Sequence, residues 1–476
     1  MPDDEMPMPG AKSVVRKRQA RGQRSRNGCG TVGKSRRIKC DEQQPACLKC
    51  HSTGRVCDGY RAEAVDRQQS TAMSRAASPS PYSMASLNLA AVLPHDSKER
   101  HHFRFFEQYT AMEFSGYFDN DLWTRLILQM SRTQPAVRHA VVALGSLHEN
   151  LQACDDVQVP VTTIYSLQHY NKAVLHLQRQ LSSSQQSIGV TLTCCILFVC
   201  FETLQRDYVT ALTQLKKGLN ILCSWKYSHT GTRTTLLSPE GRFIKENLLP
   251  LYLHLDVQAT TVIENRGLGF PSNIRKSTGD SKLPLRFTST HEARYWLDVL
   301  LYSMYDTIVK PANPDPDHLA QLDDMTRDWA TAFSTYVNNQ LDLNTLNTSD
   351  VRAGTILKIY HTVAIIMIGT RLSGDDSLHE SFYSSFREIT TLCKSLIRSP
   401  NTSAPRRSTF RFSLDMGVVP PLFYVAINCR DIVIRTEAIA LLAAEPRREG
   451  IWDGRMAAEV AREHADVKYS NMGLVE

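Results

Sequence analysis

The chain has 476 residues, of which 42% are hydrophobic and 22% charged, so most of it can bury a core. Its formal net charge is +7, but residues 1–62 hold 14 Lys and Arg against 6 Asp and Glu, which makes +8 and leaves −1 for the remainder. A basic head on a near-neutral body predicts a module for a polyanion, attached to a part that does not contact that polyanion. The length fits one large domain with a small one, or two or three domains.

The start of the chain predicts neither export nor membrane insertion. Its first ten residues, MPDDEMPMPG, lack the apolar segment of a secretory signal. The apolar run CCILFVCF at 194–201 is too short to span a bilayer. We therefore expect the twelve cysteines to lie in a reducing compartment, as metal ligands or core residues rather than as disulfides.

Three segments precede the helical part. Residues 1–27 are predicted to be a disordered basic tail, in which KSVVRKRQARGQRSR indicates a nuclear import signal or an arm along the DNA backbone. A solvated tail without a partner is the alternative. Residues 28–60 contain five cysteines and form a separate module. Residues 61–98, rich in Ala, Ser, Gln and Pro, predict a flexible linker, and no sustained heptad in them indicates a coiled coil.

From residue 99 to residue 476 the sequence predicts one all-α domain of stacked helices. PAVRHAVVALGSLHENL and DYVTALTQLKKGLNILCSW place apolar residues three and four apart, and Pro135 suits the first turn of its helix. Residues 410–445 are predicted to form two more helices around Pro420 and Pro421. Alternating strand patterns are nearly absent, and the stretch 265–290 is the least regular.

The stretch GCGTVGKSRRIKC at 28–40 fits two incompatible patterns. Gly28 to Ser35 satisfies G-x-x-x-x-G-K-[ST], the phosphate-binding loop. Such a loop needs a buried strand before it and a helix after it, but RQARGQRSRN precedes it and Pro45 soon interrupts the chain. A nucleotide-binding enzyme of this class is therefore a distant alternative.

The cysteines of the module favour a metal site. Thiolates two residues apart can chelate one tetrahedral ion from a single turn. With one cysteine upstream and a C-x6-C-x2-C-x6-C run after it, the ligand candidates are Cys29, Cys40, Cys47, Cys50 and Cys57. Residues 28–60, including KSRRIKCDE and the closing pattern up to Tyr60, resemble the fungal Zn2Cys6 binuclear cluster, C-x2-C-x6-C-x6-C-x2-C-x6-C.

The resemblance implies how the ligands would be shared. In the family the first and fourth cysteines bridge two zinc ions, which would be Cys29 and Cys47 here. Cys50 and Cys57 would complete one zinc. The other zinc would keep Cys40 and both bridges but lack its fourth ligand, so the chain would hold two Zn²⁺ with a complete cluster and one as written.

The missing ligand is the second cysteine of the pattern. Val32 stands at its position and one extra residue follows, so a single Cys in place of Val32-Gly33 would restore the family pattern. Three explanations are open, in order of preference: an error in the predicted coding sequence, one tight zinc beside a weak site completed by water, and a dead cluster. His51 as a substitute ligand is disfavoured, because it adjoins Cys50 and would point to the other half-site.

A zinc cluster would give the basic residues a shape that fits DNA. A module of this size buries too little apolar surface to fold alone, so metal binding and folding would be one event. Four basic residues lie on or near the helix that the cluster would fix: Lys34, Arg36, Arg37 and Lys39. We predict that Arg36 and Arg37 contact guanine O6 and N7, as in family members that read CGG triplets, and that Lys34 and Lys39 contact phosphates. A merely solvated basic face is the alternative.

The helical part resembles the fungal-specific transcription factor regulatory domain. The resemblance starts in FEQYTAMEFSGYFDNDLWTRL at 106–126, continues through LQRDYVTALTQLKKGLNIL, and weakens after about residue 230. His139 and His148 are nine residues apart and do not form an H-E-x-x-H face, so packed histidines are expected. Cys194, Cys195 and Cys200 are predicted core thiols, and Trp123 a core residue. No enzyme motif occurs in a suitable setting, and we expect no enzymatic activity.

These observations predict a nuclear, zinc-dependent, sequence-specific regulator of RNA polymerase II transcription from a fungus, acting on a metabolic or secondary-metabolite pathway. Double-stranded DNA is the expected partner, a homodimer or transcriptional co-regulators are further candidates, and no membrane is involved. The alternative is a regulator with a degenerate cluster that acts through protein–protein contacts.

Overall fold

A computed structural model describes residues 47–53, 96–118, 121–153, 163–183, 187–228, 238–261, 283–309, 316–342, 347–373, 380–398, 410–444 and 446–470. The chain divides into two units, Met1–Pro79 and Ser80–Glu476, each of which is described by itself. In the first unit the described residues form a short helix, α1 (Leu48–His51), and its flanks. We call the first unit the head and the second the helical unit.

The described part of the helical unit is mostly α-helix, as predicted. Three π-helical turns, Phe106–Thr110, Leu122–Leu126 and Ile244–Leu248, each run directly into an α-helix. In chain order the helices are α2 (Ser97–Phe105), α3 (Ala111–Ser115), α4 (Ile127–Thr133), α5 (Pro135–Ala153), α6 (Ile164–Leu181), α7 (Ile188–Gln205), α8 (Tyr208–Ser228), α9 (Pro239–Phe243), α10 (Leu249–Thr260), α11 (Thr290–Val309), α12 (Pro316–Asp342), α13 (Thr348–Ser373), α14 (Tyr383–Arg398), α15 (Val419–Asn428), α16 (Ile432–Ala444) and α17 (Gly454–Ser470).

Several helices begin where the sequence supplies a cap. The side chains of Asp96, Thr163 and Ser187 accept hydrogen bonds from backbone N–H groups in the first turns of α2, α6 and α7. Such caps satisfy donors that have no partner inside the helix. Pro135 opens α5, which confirms its predicted place in a first turn.

Helix α5 organises the first half of the helical unit, since it packs against α2, α4, α6 and α7. Gly145 lies where α2 crosses α5, and a Cβ at this position would lie 2.2 Å from the carbonyl oxygen of His102. Only glycine therefore permits this approach of the two helices. The aromatic residues that follow α2 are buried, and Phe114 meets Trp123 edge to face at 5.1 Å, which confirms Trp123 as a core residue.

Two helices reach the length and apolar composition of a membrane span. They are α7 and the segment Thr348–Thr370 of α13, although CCILFVCF alone is too short for that purpose. The α7 segment is 89% buried inside the protein and packs against α5 and α8. This burial is that of a core helix, which must be apolar on all sides.

In the second half, successive helices from α11 to α17 pack mostly on their neighbours in the chain. Trp329 of α12 is buried between the rings of Phe333 and His361, with ring centroids 4.8 Å away on each side. Its indole N–H donates to the carbonyl oxygen of Ala293 in α11 at 2.9 Å. The indole thus links α11, α12 and α13.

The prediction for residues 410–445 was partly wrong. Residues 411–413 form a strand rather than a helix, and Pro420 and Pro421 lie in the first turn of α15 instead of between two helices. The strands β1 (Arg411–Ser413), β2 (Arg447–Glu449) and β3 (Trp452–Asp453) form a sheet of order β1-β2-β3. β1 pairs with β2 in parallel, with Arg411 opposite Arg447, and β2 pairs with β3 antiparallel.

A buried carboxylate ties this sheet to α15. Glu449, 1% exposed at the end of β2, accepts backbone N–H groups from Gly417 at 3.0 Å, Val418 at 3.1 Å and Val419 at 2.7 Å. These donors belong to the start of a helix, where partners within the helix are lacking and negative charge is favoured. Burial raises the pKa of Glu449, against the opposing effect of Arg447 and the three N–H groups.

Candidate metal centre

Cys47 and Cys50 lie on a single helical turn, as their spacing requires. Cys47 is the N-cap of α1 and Cys50 lies inside the helix. The two side chains are 0% and 2% exposed, although the residues that separate them in the sequence include Leu48, which is 55% exposed. The turn therefore directs both sulfur atoms inward and an apolar leucine outward.

The local bonding suits a pair of thiolates. The Cys50 backbone N–H donates to Sγ of Cys47 at 3.3 Å and to the Cys47 carbonyl oxygen at 3.0 Å. A backbone N–H directed at sulfur favours the charged form of the thiol, which is the form that binds a metal. Two buried sulfur atoms on one turn fit the donor set of a structural zinc site.

His51 follows Cys50 at the end of α1 and is exposed. The adjoining position on the helix sends it away from the buried cysteines. This agrees with the interpretation of His51 as a polar surface residue rather than a substitute ligand.

The remaining predicted site residues lie outside the described residues. They are the ligand candidates Cys29, Cys40 and Cys57 and the DNA-contact candidates Lys34, Arg36, Arg37 and Lys39. The same holds for Val32 and Gly33. Their roles stay predictions.

The cysteines of the helical unit differ from those of a metal site. Cys194, Cys195 and Cys200 are at most 6% exposed in α7, which confirms them as core thiols. Burial raises the pKa of all three, that of Cys195 to about 11. A thiol that stays protonated is neither a good nucleophile nor a ready ligand.

His148 is a packed histidine, as expected. It is 0% exposed, its Nδ1 lies 2.9 Å from the Thr110 hydroxyl, and its Nε2 lies 3.1 Å from a Glu113 carboxylate oxygen. Both ring nitrogens therefore have partners within the fold, and His148 serves to join α5 to the segment around α3.

His139 has surroundings that the sequence did not indicate. Its Nδ1 lies 3.2 Å from Nδ1 of His169 in α6 and 4.0 Å from Oε1 of Glu99 in α2. The three potential ligand atoms lie within 4.8 Å of one another. The three residues come from helices 30 to 40 residues apart, so no local motif could have revealed the group.

Comparison with known proteins gives one family and several relatives. Residues 101–282 match the fungal specific transcription factor domain. The chain is 23% identical over 547 aligned residues to the aspercryptin biosynthesis cluster-specific transcription regulator atnN of Emericella nidulans, and the match covers 92% of this chain and 87% of that relative.

Two further relatives match over a smaller part. Identity is 30% over 207 residues to the transcription regulator lscL of Purpureocillium lilacinum, covering 40% of this chain and 48% of lscL. It is 26% over 211 residues to the Zn(2)-C6 fungal-type transcription factor afumD of Aspergillus fumigatus, covering 42% of this chain and 52% of afumD. No solved structure matches the chain.

Proposed function

The chain carries a fungal-specific transcription factor domain and is related to fungal transcription regulators; from this premise we propose that it is a nuclear regulator whose head binds zinc and reads DNA sequence. The observation that carries the proposal is the pair of buried sulfur atoms on the single turn of α1. RNA polymerase II transcription of a metabolic or secondary-metabolite pathway is the proposed output. The printed name of atnN, a biosynthesis cluster-specific regulator, supports that class of target.

Zinc would supply the folding free energy that the head lacks. A four-residue helix such as α1 is not stable alone in water. Cys47 and Cys50 would hold zinc together with Cys57, Cys40 and Cys29, and the metal would provide cross-links in place of an apolar core. The chemistry of the metal here is structural, with no reaction assigned to it.

The charge of the head fits a DNA partner. Residues 1–62 carry +8, and the basic run KSRRIK lies directly before Cys40. Arginine forks suit guanine edges in the major groove, while lysines suit phosphates. We therefore assign Arg36 and Arg37 to base contacts and Lys34 and Lys39 to the backbone, with CGG-type half-sites as the proposed target.

The number of zinc ions follows from Val32 and Gly33. If the mature messenger encodes a single Cys there, the head would bind two Zn²⁺. If it encodes Val-Gly, the head would bind one tightly through a set that includes Cys50. Sequencing the transcript across codons 28–40 decides which protein is tested.

The functional test uses the full chain. Native mass spectrometry counts zinc, and fluorescence anisotropy measures binding to a duplex with CGG half-sites and to a scrambled duplex. We expect one or two Zn²⁺ per chain and preference for the CGG duplex. A chain that is folded in its helical part but binds neither zinc nor DNA would favour the degenerate-cluster alternative. Stabilisation by ATP and Mg²⁺ would instead revive the phosphate-loop reading.

A matched pair of variants separates the head from a general effect of losing a thiol. Cys50→Ser should lose zinc and the preference for CGG. Cys223→Ser removes a buried thiol of the helical unit, in α8, and should keep both. Equal behaviour of the two variants would contradict the assignment of Cys50 as a ligand.

A further inference from the structure

A polar cluster between helices α2, α5 and α6 has the composition of a metal site. It consists of Glu99 from α2, His139 from α5 and His169 from α6, and we call it the histidine cluster. The two histidines are 9% and 2% exposed, and the Glu99 side chain is 15% exposed. Nothing in the proposed function of the head uses these residues.

The distances fit ligands that share one ion better than they fit hydrogen bonds. The two Nδ1 atoms are 3.2 Å apart, and Oε1 of Glu99 is 4.0 Å from Nδ1 of His139, which is too long for a hydrogen bond. Two atoms each bound to one zinc at about 2.0–2.2 Å can lie up to about 4.2 Å apart. The carboxylate and the imidazoles thus face a common space of the right size.

A neighbouring group on the same helices provides a contrast. His101 Nε2 lies 2.9 Å and His102 Nδ1 lies 3.0 Å from the carboxylate oxygens of Glu149. These are direct hydrogen bonds, so Glu149 already has its partners. The histidine cluster is the group in which the carboxylate stands back from the ring nitrogens.

The cluster also adjoins buried polar atoms whose needs the described residues do not meet. Arg138 Nε is buried without a hydrogen-bond partner there and lies 3.6 Å from Oε1 of Glu99. The buried hydroxyl of Tyr165 likewise has no partner among the described residues, and its ring centroid is 4.6 Å from that of His169. Buried polar atoms of this kind point to a missing water or ion.

We propose that Glu99, His139 and His169 bind one Zn²⁺ ion through Oε1 and the two Nδ1 atoms, with water in the fourth position. Two imidazoles and one carboxylate are a donor set that zinc accepts with an open position. A zinc-bound hydroxide would accept a hydrogen bond from Arg138 Nε. The ion would link three helices at the start of the helical unit, independently of the cysteines in the head.

The charges around the cluster act in both directions. Arg138 and Lys172 are cationic neighbours that oppose a bound cation. Together with burial, they also lower the pKa of His139 to about 3 and that of His169 to about 4, so both rings are unprotonated near neutral pH. The unprotonated ring is the form that binds a metal, and Glu99 supplies the negative charge.

The test uses the full chain with all five head cysteines changed to serine, which removes thiolate ligands from the head. After metal removal, Zn²⁺ alone is added and native mass spectrometry counts bound ions. We expect one Zn²⁺ per chain. We also expect Co²⁺ to give an absorption spectrum without sulfur-to-metal charge transfer, and Zn²⁺ to raise the melting temperature.

Variants in this background locate the ion. His169→Gln and Glu99→Gln should each abolish binding and the rise in melting temperature, whereas His101→Gln, in the neighbouring group, should keep both. Far-UV circular dichroism checks that each variant is folded, and the half-buried Glu99 provides an independent test if His169→Gln unfolds. A five-serine chain that binds no zinc, or binding that survives both His169→Gln and Glu99→Gln, would overturn the proposal. Neither result bears on zinc in the head.

Discussion

The head and the helical unit keep their structures by different physical means. In the described part of the head, one turn carries two buried cysteines next to a leucine that is 55% exposed. The helical unit instead has a continuous apolar core, with Trp123 and Trp329 at most 2% exposed. The head would depend on a few ligands, and the helical unit depends on many packed side chains. A single residue change therefore has very different consequences in the two units.

The largest expected effect comes from removing zinc. Chelation of the metal should unfold the head and reduce affinity for a CGG duplex towards the non-specific level, by about 10³-fold or more. The helical content of the helical unit should persist, since its core contains no thiolate-bound metal. Anisotropy with the CGG duplex and far-UV circular dichroism on the same sample measure the two responses.

Loss of most helical signal on chelation would contradict this division of the molecule. Restoration of DNA binding by added Zn²⁺ is the control, because it shows that the chelator has not damaged the protein.

The second effect concerns the helical unit. Glu449→Ala should lower its free energy of unfolding by about 3 kcal/mol or more, because three buried N–H groups at the start of α15 lose their acceptor. Urea denaturation followed by circular dichroism measures this. Zinc content should not change.

Glu463→Ala is the matched control for Glu449→Ala, since Glu463 is an exposed carboxylate on α17. It should change stability by less than about 0.5 kcal/mol. Similar losses in the two variants would mean that the hydrogen bonds of Glu449 do not stabilise the sheet and α15.

The third effect lies in the DNA contacts. Arg36→Ala should cost about 1–3 kcal/mol of binding to the CGG duplex and relax the sequence preference. Lys39→Ala should weaken binding to CGG and scrambled duplexes about equally, because a phosphate contact carries no sequence information. Anisotropy titrations at one fixed salt concentration measure both.

Arg132→Ala controls for the loss of one positive charge, since Arg132 is exposed on α4 of the helical unit. It should leave DNA binding unchanged. Wild-type binding by both Arg36→Ala and Lys39→Ala would show that the assignment of the basic residues is wrong.

The smallest effect is that of a helix cap. Asp96 accepts a hydrogen bond from the Lys98 N–H at 3.0 Å at the start of α2. Asp96→Ala should lower the free energy of unfolding by about 1 kcal/mol, whereas Asp96→Asn keeps an acceptor and should cost much less. Urea denaturation compares them, and equal losses would exclude the cap as the cause.

The helices could be predicted because their signals are local. Apolar residues three and four apart and a proline in a first turn gave α5, and the run around Cys194 gave the core helix α7. The small sheet could not be predicted in this way. Its strands have two or three residues, too few to show alternation, and Arg411 pairs with Arg447 only after two helices intervene.

The candidate sites show the same limit. Cys47 and Cys50 are close in sequence, so spacing alone placed them on one turn. His139, His169 and Glu99 come from three helices, and only the packing of α2 and α6 on α5 brings them together. Val32 shows a further limit, because no folding rule tells whether a missing ligand is a property of the protein or of its coding sequence.

The position of Glu449 matters for any deletion series of this regulator. Chains shortened from the carboxyl end to a point before residue 449 would leave the first N–H groups of α15 without their acceptor and remove two of the three strands. Loss of reporter expression in such a chain would reflect a misfolded remainder. It would not locate an activating segment near the carboxyl terminus, and point substitutions on the surface of α17 are the sounder way to search for one.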